Sequence, residues 1–283
     1  IGAVARVVSG IDSGENARYV TFAWEISSLC TDRIALYSKG KGYRRWAALS
    51  RTVIDWRHEG GLVSADSRST IRNRSFHRRS GIEYSYVYGG KVAARKLTPS
   101  IPDHGSVGIF TSNPEVELEI LALMNSRIGT LLGRTLSGSL NLSVGCVERF
   151  PLVPRDATNL PRIQRLAEAC CALAEWLARE SEPIERRMIL GEAPALHRTW
   201  QEMDGVAATL HCLEGALESE LVTAFELDEE NQTIIDMDIG RPCAWRPLDI
   251  EAQRCPSIPE DSRLELRDAF AVAREIIEAD PRT

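Results

Sequence analysis

The spacing of hydrophobic residues changes at two prolines, Pro151 and Pro154, and this change limits what the chain can fold into. Before them, short runs alternate apolar and polar residues between Gly- and Ser-rich turns, which is typical of half-buried strands. After Leu160, apolar residues recur three or four positions apart, which is typical of amphipathic helices. We therefore predict an α+β protein, with a mixed, β-rich domain over residues 1–155 and an α-helical bundle or coiled-coil region over residues 156–283.

The alternating runs predict individual strands in the first region. These strands are expected at residues 4–8, 18–26, 81–88, 107–111 and 140–145. A helix is expected to begin at Pro114, because Asn113 can cap it and proline suits the first helical position. In the second region, apolar residues at helical spacing predict helices beginning near residues 160, 206 and 266. The acidic, proline-containing stretch 228–261 is predicted to be a loop with little regular structure.

Basic residues are concentrated in the first region. Residues 1–155 hold 21 Lys and Arg against 13 Asp and Glu, a net charge of +8, whereas residues 156–283 hold 13 against 27, a net charge of −14. The excess is densest from Lys39 to Lys96, with 14 basic residues against 4 acidic ones and several interleaved aromatic residues. Basic side chains neutralise phosphates, and aromatic rings and arginines stack on bases or read them. The stretch is either a DNA-binding surface or a solvated surface over ordinary core aromatics.

If the stretch is a DNA-binding surface, nine of its densely placed basic residues are the candidate DNA contacts. They are Lys39, Lys41, Arg44, Arg45, Arg51, Arg72, Arg74, Arg78 and Arg79. Trp46 and Trp56 are instead predicted to be core residues beneath that surface. Asn125 and Ser126 are predicted to bond locally within a helical segment, and are therefore interpreted as structural.

The sequence carries no recognisable catalytic constellation. It has no Gly-rich phosphate loop, no HExxH and no GxSxG, and its five histidines are scattered. It also lacks the Asn/Asp-Pro-Pro-Tyr/Phe motif with which an adenine methyltransferase holds a flipped base. We therefore expect this chain alone to be non-catalytic and to hold no metal. An acidic two-metal nuclease site around Asp236 and Asp238 is the less favoured alternative.

Cysteine usage and hydropathy predict the compartment. The seven cysteines form no CxxC pair, which argues against a disulfide framework or a structural zinc and favours a reducing cytoplasm. No apolar run reaches membrane-spanning length, and the first residues do not resemble a signal peptide.

Because residue 1 is Ile and a strand follows almost at once, we expect the chain to be one piece of a longer protein.

Four sequence blocks resemble the C-terminal half of the BREX (phage-growth-limitation) adenine-specific DNA methyltransferases and their type II restriction–modification relatives. GIDSGENARY at 10–19 is similar to the family's GLxTGDNxxF, and KGKGYRRW at 39–46 to its KGGxYRKW, with VIDW at 53–56 following as YVVNW does. GIEYS at 81–85 is similar to GITWS, with Tyr84 in place of Trp. LALMNSR at 121–127 and LNLSVG at 140–145 resemble LGLLNSK and LNFxVG.

The resemblance implies that residues 1–155 are a target-recognition domain for double-stranded DNA and that the helices serve as a spacer or brace. It implies that S-adenosylmethionine binds in a catalytic domain outside this chain, so no cofactor is expected here. The catalytic domain is an expected partner, in cis or in trans, and other phage-defence proteins are further candidates. The alternative function is a stand-alone specificity or interaction subunit that docks a partner enzyme on DNA.

Overall fold

A computed structural model describes residues 1–26, 32–40, 42–189, 197–240 and 266–279. The chain divides into two compact units. The first, the sheet unit, comprises residues 1–117 and 132–151, and the second, the helical unit, comprises residues 118–131 and 152–283. Together they confirm the predicted α+β class. Among the described helices, none is both long enough and apolar enough to cross a membrane.

The sheet unit is built on seven strands. They are β1 (Arg6–Val8), β2 (Val20–Phe22), β3 (Ile34–Ser38), β4 (Thr52–Asp55), β5 (Arg79–Ser85), β6 (Ala94–Pro102) and β7 (Ser106–Phe110). The strands follow the order β1-β7-β5-β6-β3-β4-β2 across the sheet. Neighbouring strands pair antiparallel except β3 and β6, which pair parallel with Tyr37 opposite Ile101. Strands predicted around residues 4–8, 81–88 and 107–111 are therefore confirmed.

Nine helices accompany the sheet among the described residues. They are α1 (Asn16–Tyr19), α2 (Arg57–Ser64), α3 (Pro114–Met124), α4 (Arg127–Ser137), α5 (Val144–Glu148), α6 (Leu160–Ile189), α7 (His197–Ala224), α8 (Glu229–Asp238) and α9 (Arg267–Ala279). The predicted start at Pro114 is confirmed, and so are helices near residues 160 and 266. The helix expected from residue 206 is also present, and it begins earlier, at His197.

The core of the sheet unit is aromatic and β-branched. Tyr37, Ile54 and Ile101 are fully buried and pack in one cluster with Trp56. Trp46 and Trp56 are each 1% exposed, which confirms that both are core residues. Such residues favour strands because their branched or flat side chains pack well on a pleated surface.

One predicted strand is shorter than expected, and another is wrong. In the 18–26 segment only Val20–Phe22 is a strand, because the Glu25 carboxylate accepts hydrogen bonds from the Phe22 N–H and the Thr21 hydroxyl and stabilises a 3-10 turn over Ala23–Glu25. The 140–145 segment was predicted to be a buried strand. Leu140 is 64% exposed, and Ser143 caps α5 by accepting a hydrogen bond from the Cys146 N–H at 3.3 Å.

The helical unit is formed mainly by α6, α7 and α9. The start of α6 meets the end of α7, where Asn159 donates to Glu220 at 2.7 Å and Arg162 pairs with Glu220 at 2.8 Å. The helices α6 and α7 are therefore antiparallel. The buried residues of these helices lie three or four positions apart: Ile163, Leu166, Cys170 and Leu173 in α6, and Leu213, Leu217 and Leu221 in α7.

The prediction of a loop from residue 228 is wrong for its first part. Asp228 accepts a hydrogen bond from the Asn231 N–H at 2.8 Å and caps α8, and Glu229 and Glu230 lie in the first helical turn. Acidic residues stabilise this end of a helix because they face its positive pole. Residues 241–261 of the predicted loop lie outside the described residues.

The short break between α3 and α4 explains the role of Ser126. The Ser126 hydroxyl donates to the Leu123 carbonyl at 2.6 Å and accepts from the Gly129 N–H at 3.0 Å, so that it ends one helix and caps the next. A Cβ atom on Gly129 would lie 2.2 Å from the Leu123 oxygen, and only glycine permits this approach. The structural interpretation of Ser126 is confirmed.

Candidate nucleic-acid interface

The first group of predicted DNA-contacting residues lies in the loop between β3 and β4, residues 39–51. Its anchor is Trp46, whose N–H donates to the Ala94 carbonyl at 2.8 Å and whose carbonyl accepts from the Lys96 N–H at 2.9 Å. Trp46 has a φ of 66°, which is unusual for a bulky residue and is held here by complete burial of the indole. This loop is therefore fixed to β6 by its own aromatic residue, so that it holds the neighbouring arginines in place.

Basic side chains flank that anchor on both sides. Arg44 and Arg51 are exposed, and Lys39 and Arg45 are half-buried. The Arg45 guanidinium lies 5.9 Å from the centre of the Tyr43 ring, and Tyr43 itself is 50% exposed. An arginine over an exposed aromatic ring offers both a charge and a flat surface to a nucleic acid. Lys41 lies outside the described residues.

The second group lies in residues 72–79, between α2 and β5, and all of its arginines are exposed. We call Arg72, Arg74, Arg78 and Arg79 the arginine cluster. Arg74 donates to the Glu59 carbonyl at 2.8 Å, and the Arg78 N–H donates to the Ser100 carbonyl at 2.8 Å. These bonds hold the segment against α2 and β6. All four arginines stay exposed, although the Arg74 guanidinium itself makes the bond to Glu59.

Aromatic residues support the arginine cluster from beneath. The Arg79 guanidinium lies 5.6 Å from the Phe76 ring centre, and Phe76 packs against Phe110 at 4.9 Å. His77 packs edge-on against Trp56 at 5.4 Å, and its Nε2 lies 3.0 Å from the Arg72 carbonyl oxygen, to which it donates. The cluster is thus a surface feature with a packed base, so its arginines lose less freedom on binding than arginines in an unsupported loop.

The structure divides the predicted residues between two loops with different anchors. The 39–51 loop is fixed to β6 through Ala94 and Lys96, and the arginine cluster is fixed to Glu59 of α2 and to Ser100. The carboxylate of Glu59 lies 4.0 Å from Arg78, but both groups are largely exposed, so this pair removes little positive charge. Each loop therefore offers its own set of cations.

Three other basic residues of the 39–96 stretch are paired with carboxylates. Arg68 pairs with Asp66 at 2.9 Å, and Arg57 donates from Nε to Asp55 at 3.0 Å. Arg95 is 0% exposed and donates to Glu83 at 2.8 Å. The number of basic residues in the sequence therefore overstates the charge available to a phosphate, and Arg95 is a structural residue.

The Glu83 carboxylate is the centre of a buried polar group in the sheet. It accepts from Arg95, from the Ser106 hydroxyl at 2.7 Å and from the Ser38 hydroxyl. Its partners come from β3, β6 and β7, so this one side chain links β5 to three other strands. Because the carboxylate and the guanidinium are both taken out of water, their attraction for each other offsets part of the cost of burying two charges.

The pKa of His77 makes the base of the arginine cluster sensitive to pH. Burial lowers this pKa from its ordinary value of 6.5, and Arg74 and Arg78 lower it further, while the bond to Arg72 and the charge of Glu59 oppose the shift. The folded chain therefore favours neutral His77. The stability that this provides is present above pH 6.5 and is lost as the pH falls below that value.

We expect His77→Gln to reduce the loss of stability on acidification, because the glutamine amide can still donate a hydrogen bond but takes up no proton. The melting temperature of both proteins should be measured by calorimetry at about pH 8 and about pH 5, on either side of the ordinary histidine pKa. The drop between the two values should be smaller in the variant. Equal drops would show that His77 does not contribute to the pH dependence.

Within the described ranges, no group of three or more His, Cys, Asp or Glu residues is arranged to hold a metal ion. Asp236 is instead paired with Arg127 of α4, and Arg127 also donates to the Gly240 carbonyl at 3.1 Å. This carboxylate is therefore part of an internal contact of the helical unit. The structure gives no support to the alternative of a two-metal site there.

Sequence comparison provides one informative match. No protein-family model matches the chain. In an alignment 238 positions long that covers 76% of the chain, the chain is 24% identical to the adenine-specific methyltransferase PglX of Lacticaseibacillus casei strain Zhang. The chain spans 20% of the length of that relative. The similarity supports a distant relationship between this chain and part of an adenine-specific methyltransferase.

Proposed function

We propose that this chain is the sequence-specific DNA-recognition part of an adenine-N6 DNA methyltransferase that acts in phage defence or restriction–modification. The arginine cluster is the observation that carries the proposal: four exposed arginines within eight residues, supported by packed aromatic residues. The similarity to an adenine-specific methyltransferase suggests that this DNA-binding surface would serve in the methylation of adenine.

The two basic loops suit two kinds of contact with a duplex. Arginines of the cluster can neutralise phosphates, which gives affinity without sequence preference. The 39–51 loop carries Arg44, Arg45 and the exposed ring of Tyr43 on a fixed anchor, and an arginine fork presented in this way can read guanine in the major groove. In this proposal the loop reads bases and the cluster holds the backbone.

Catalysis belongs to a separate domain in this proposal. That domain would bind S-adenosylmethionine and the flipped adenine, and it would be joined to this chain in cis or in trans. The helical unit would act as a spacer or brace and would not touch DNA, because residues 156–283 carry a net charge of −14 and would be repelled by phosphates. Other proteins of the defence system are candidate partners for these helices.

A second candidate function is a stand-alone specificity or interaction subunit. The observation that favours it is the acidic, largely helical region, which can dock a partner enzyme while the basic loops contact DNA. The coding sequence upstream of residue 1 separates the two candidates. A catalytic Asn/Asp-Pro-Pro-Tyr/Phe motif in the same reading frame supports the methyltransferase part, and an independent start codon at this position supports the subunit.

Hydrogen exchange of the full chain tests where DNA binds. With a saturating duplex, amides in residues 39–51 and 72–79 should exchange more slowly than in the free chain, and amides of α6, α7 and α9 should be unchanged. A variant with the arginine cluster changed to glutamine serves as the matched control and should lose the protection at residues 72–79. Protection confined to the helices would overturn the proposal.

A further inference from the structure

A groove with a volume of about 410 Å³ lies on the outer three-stranded part of the sheet, and none of the nine predicted residues lines it. Three arginines from three separate chain segments line it: Arg18, Arg33 and Arg57. The sequence gives no sign that these residues meet, since they are separated by 15 and 24 positions. A groove of this volume can hold a small organic ligand.

Strand direction explains why the three arginines meet. β2 and β3 both run antiparallel to β4, with Val20 opposite Ile54 and Ile34 opposite Asp55. The amino ends of β2 and β3 therefore lie beside the carboxyl end of β4. Arg18 comes just before β2, Arg33 just before β3 and Arg57 just after β4, and the Trp56 N–H donates to the Arg33 carbonyl at 2.8 Å.

The groove has an excess of positive charge. Among its lining residues, three guanidinium groups face one carboxylate, that of Asp55. Arg57 holds this carboxylate through Nε at 3.0 Å and lowers the pKa of Asp55, and the charge of Arg33 lowers it further. Asp55 is therefore ionised and neutralises one arginine, so that two positive charges remain for a ligand.

Two acidic groups near the groove, Glu25 and Asp66, have partners of their own. The Glu25 carboxylate accepts hydrogen bonds from the Thr21 hydroxyl and the Phe22 N–H. The Asp66 carboxylate accepts a hydrogen bond from the Tyr19 hydroxyl at 3.2 Å and is paired with Arg68. Neither carboxylate lines the groove. The lining also includes Val20, Ile34 and Val53, so that apolar surface lies beside the guanidinium groups.

We propose that this groove binds the phosphate of a nucleotide, with the apolar lining beside its sugar or base. Arginine suits phosphate because its planar guanidinium can donate two parallel hydrogen bonds to the oxygens. The inference rests on the proposed function for the source of that phosphate, a DNA strand. A free nucleotide has the same chemistry and is the other source. The groove would be a second anion site, and its lining includes no residue of either basic loop.

The test uses the full chain and the double variant Arg18→Gln/Arg33→Gln. Arg57 is left in place because it holds Asp55. The matched control is Arg162→Gln/Arg165→Gln, which removes two exposed arginines from the helical unit. Adenosine monophosphate and inorganic phosphate are titrated by calorimetry, and a fluorescent single-stranded oligonucleotide by anisotropy. We expect the double variant to raise Kd about 10-fold or more for the probe that binds, and the control to change it less than about two-fold.

The probes separate the two sources of phosphate. Binding of adenosine monophosphate that is lost in the double variant supports the groove as a site for a free nucleotide. Weaker oligonucleotide binding in the double variant, with no binding of the monophosphate to the parent chain, supports a site for a phosphate within a strand. Unchanged affinity for every probe in the double variant overturns the inference. The single variant Arg33→Gln repeats the test if the double variant melts at a lower temperature.

The experiments distinguish a wrong groove inference from a wrong proposed function. The arginine cluster is the surface on which that function rests, and its variant leaves Arg18 and Arg33 in place. If the cluster variant loses duplex binding while the groove variant keeps duplex, oligonucleotide and monophosphate binding, the proposed function stands and the groove inference is wrong. If the groove variant alone loses binding, the groove stands and the role of the cluster is wrong.

Discussion

Changing the arginine cluster to glutamine should weaken duplex binding by about 4 × 10³-fold at 0.1 M salt, if all four arginines contact phosphates. Each such contact releases counterions and contributes a factor of roughly 8 at this salt concentration. Glutamine keeps the length of the side chain and its capacity to donate hydrogen bonds, so the loss reports charge. Fluorescence anisotropy of a labelled duplex, titrated with the full 283-residue chain, measures it.

A control variant removes the same charge from the helical unit. It changes four arginines outside the sheet unit to glutamine: Arg162, Arg165, Arg267 and Arg274. Its duplex affinity should stay within about three-fold of the parent chain, because the removed charges lie on acidic helices that are not expected to touch phosphates. Equal losses in the two variants would mean that the net charge of the chain matters and that the arginine cluster has no special role.

Removing the buried carboxylate of Glu83 should have the largest effect on stability. Glu83→Ala leaves the Arg95 guanidinium charged and 0% exposed, without the carboxylate to which it donates at 2.8 Å. Breaking a buried ion pair from one side costs about 3–5 kcal/mol. Calorimetric unfolding should therefore show a markedly lower melting temperature for the sheet unit, and the transition of the helical unit should not move.

The double variant Glu83→Met/Arg95→Met is the control for that prediction. It removes both charges and keeps apolar volume, so it should be more stable than Glu83→Ala alone. Recovery should be partial, because the hydroxyls of Ser38 and Ser106 lose their acceptor. A loss below about 1 kcal/mol in Glu83→Ala would show that water reaches Arg95 and that the pair is not buried in solution.

Much of the fold follows from local patterns in the sequence. Pro114 begins α3 because the capping residue, the proline and the acidic first turn all favour a helix there. The helical unit follows from a repeat of apolar residues maintained over α6 and α7. Tyr84 and its neighbours form a strand because several β-favouring residues lie together between glycines.

Other elements depend on contacts that a local pattern does not contain. β3 and β6 were not predicted, and their parallel pairing at Tyr37 and Ile101 joins segments 64 residues apart in the sequence. The apolar residues of 140–145 predicted a strand. The end of this segment is helical instead, because Ser143 caps the helix that begins at Val144. At residue 228, the acidic composition suggested a loop, and the same acidic residues instead stabilise a helix start.

The candidate interface was partly predictable. Local density identified the arginine cluster, because its four members lie within eight residues. It gave no indication that Arg95 is buried with Glu83, which depends on the neighbouring strands. Arg18, Arg33 and Arg57 were not singled out at all, because only the antiparallel pairing of β2, β3 and β4 brings them to one groove.

The salt dependence of duplex binding tests the central claim most directly. If the sheet unit neutralises about five to seven phosphates, log K for the parent chain should fall against log salt with a slope of roughly −5 to −6. The variant with its arginine cluster changed to glutamine should have a slope smaller in magnitude by about 0.9 for each phosphate that is no longer neutralised. The control variant of the helical unit should keep the parent slope. An unchanged slope in the cluster variant would contradict the claim and would leave these arginines as a solvated surface.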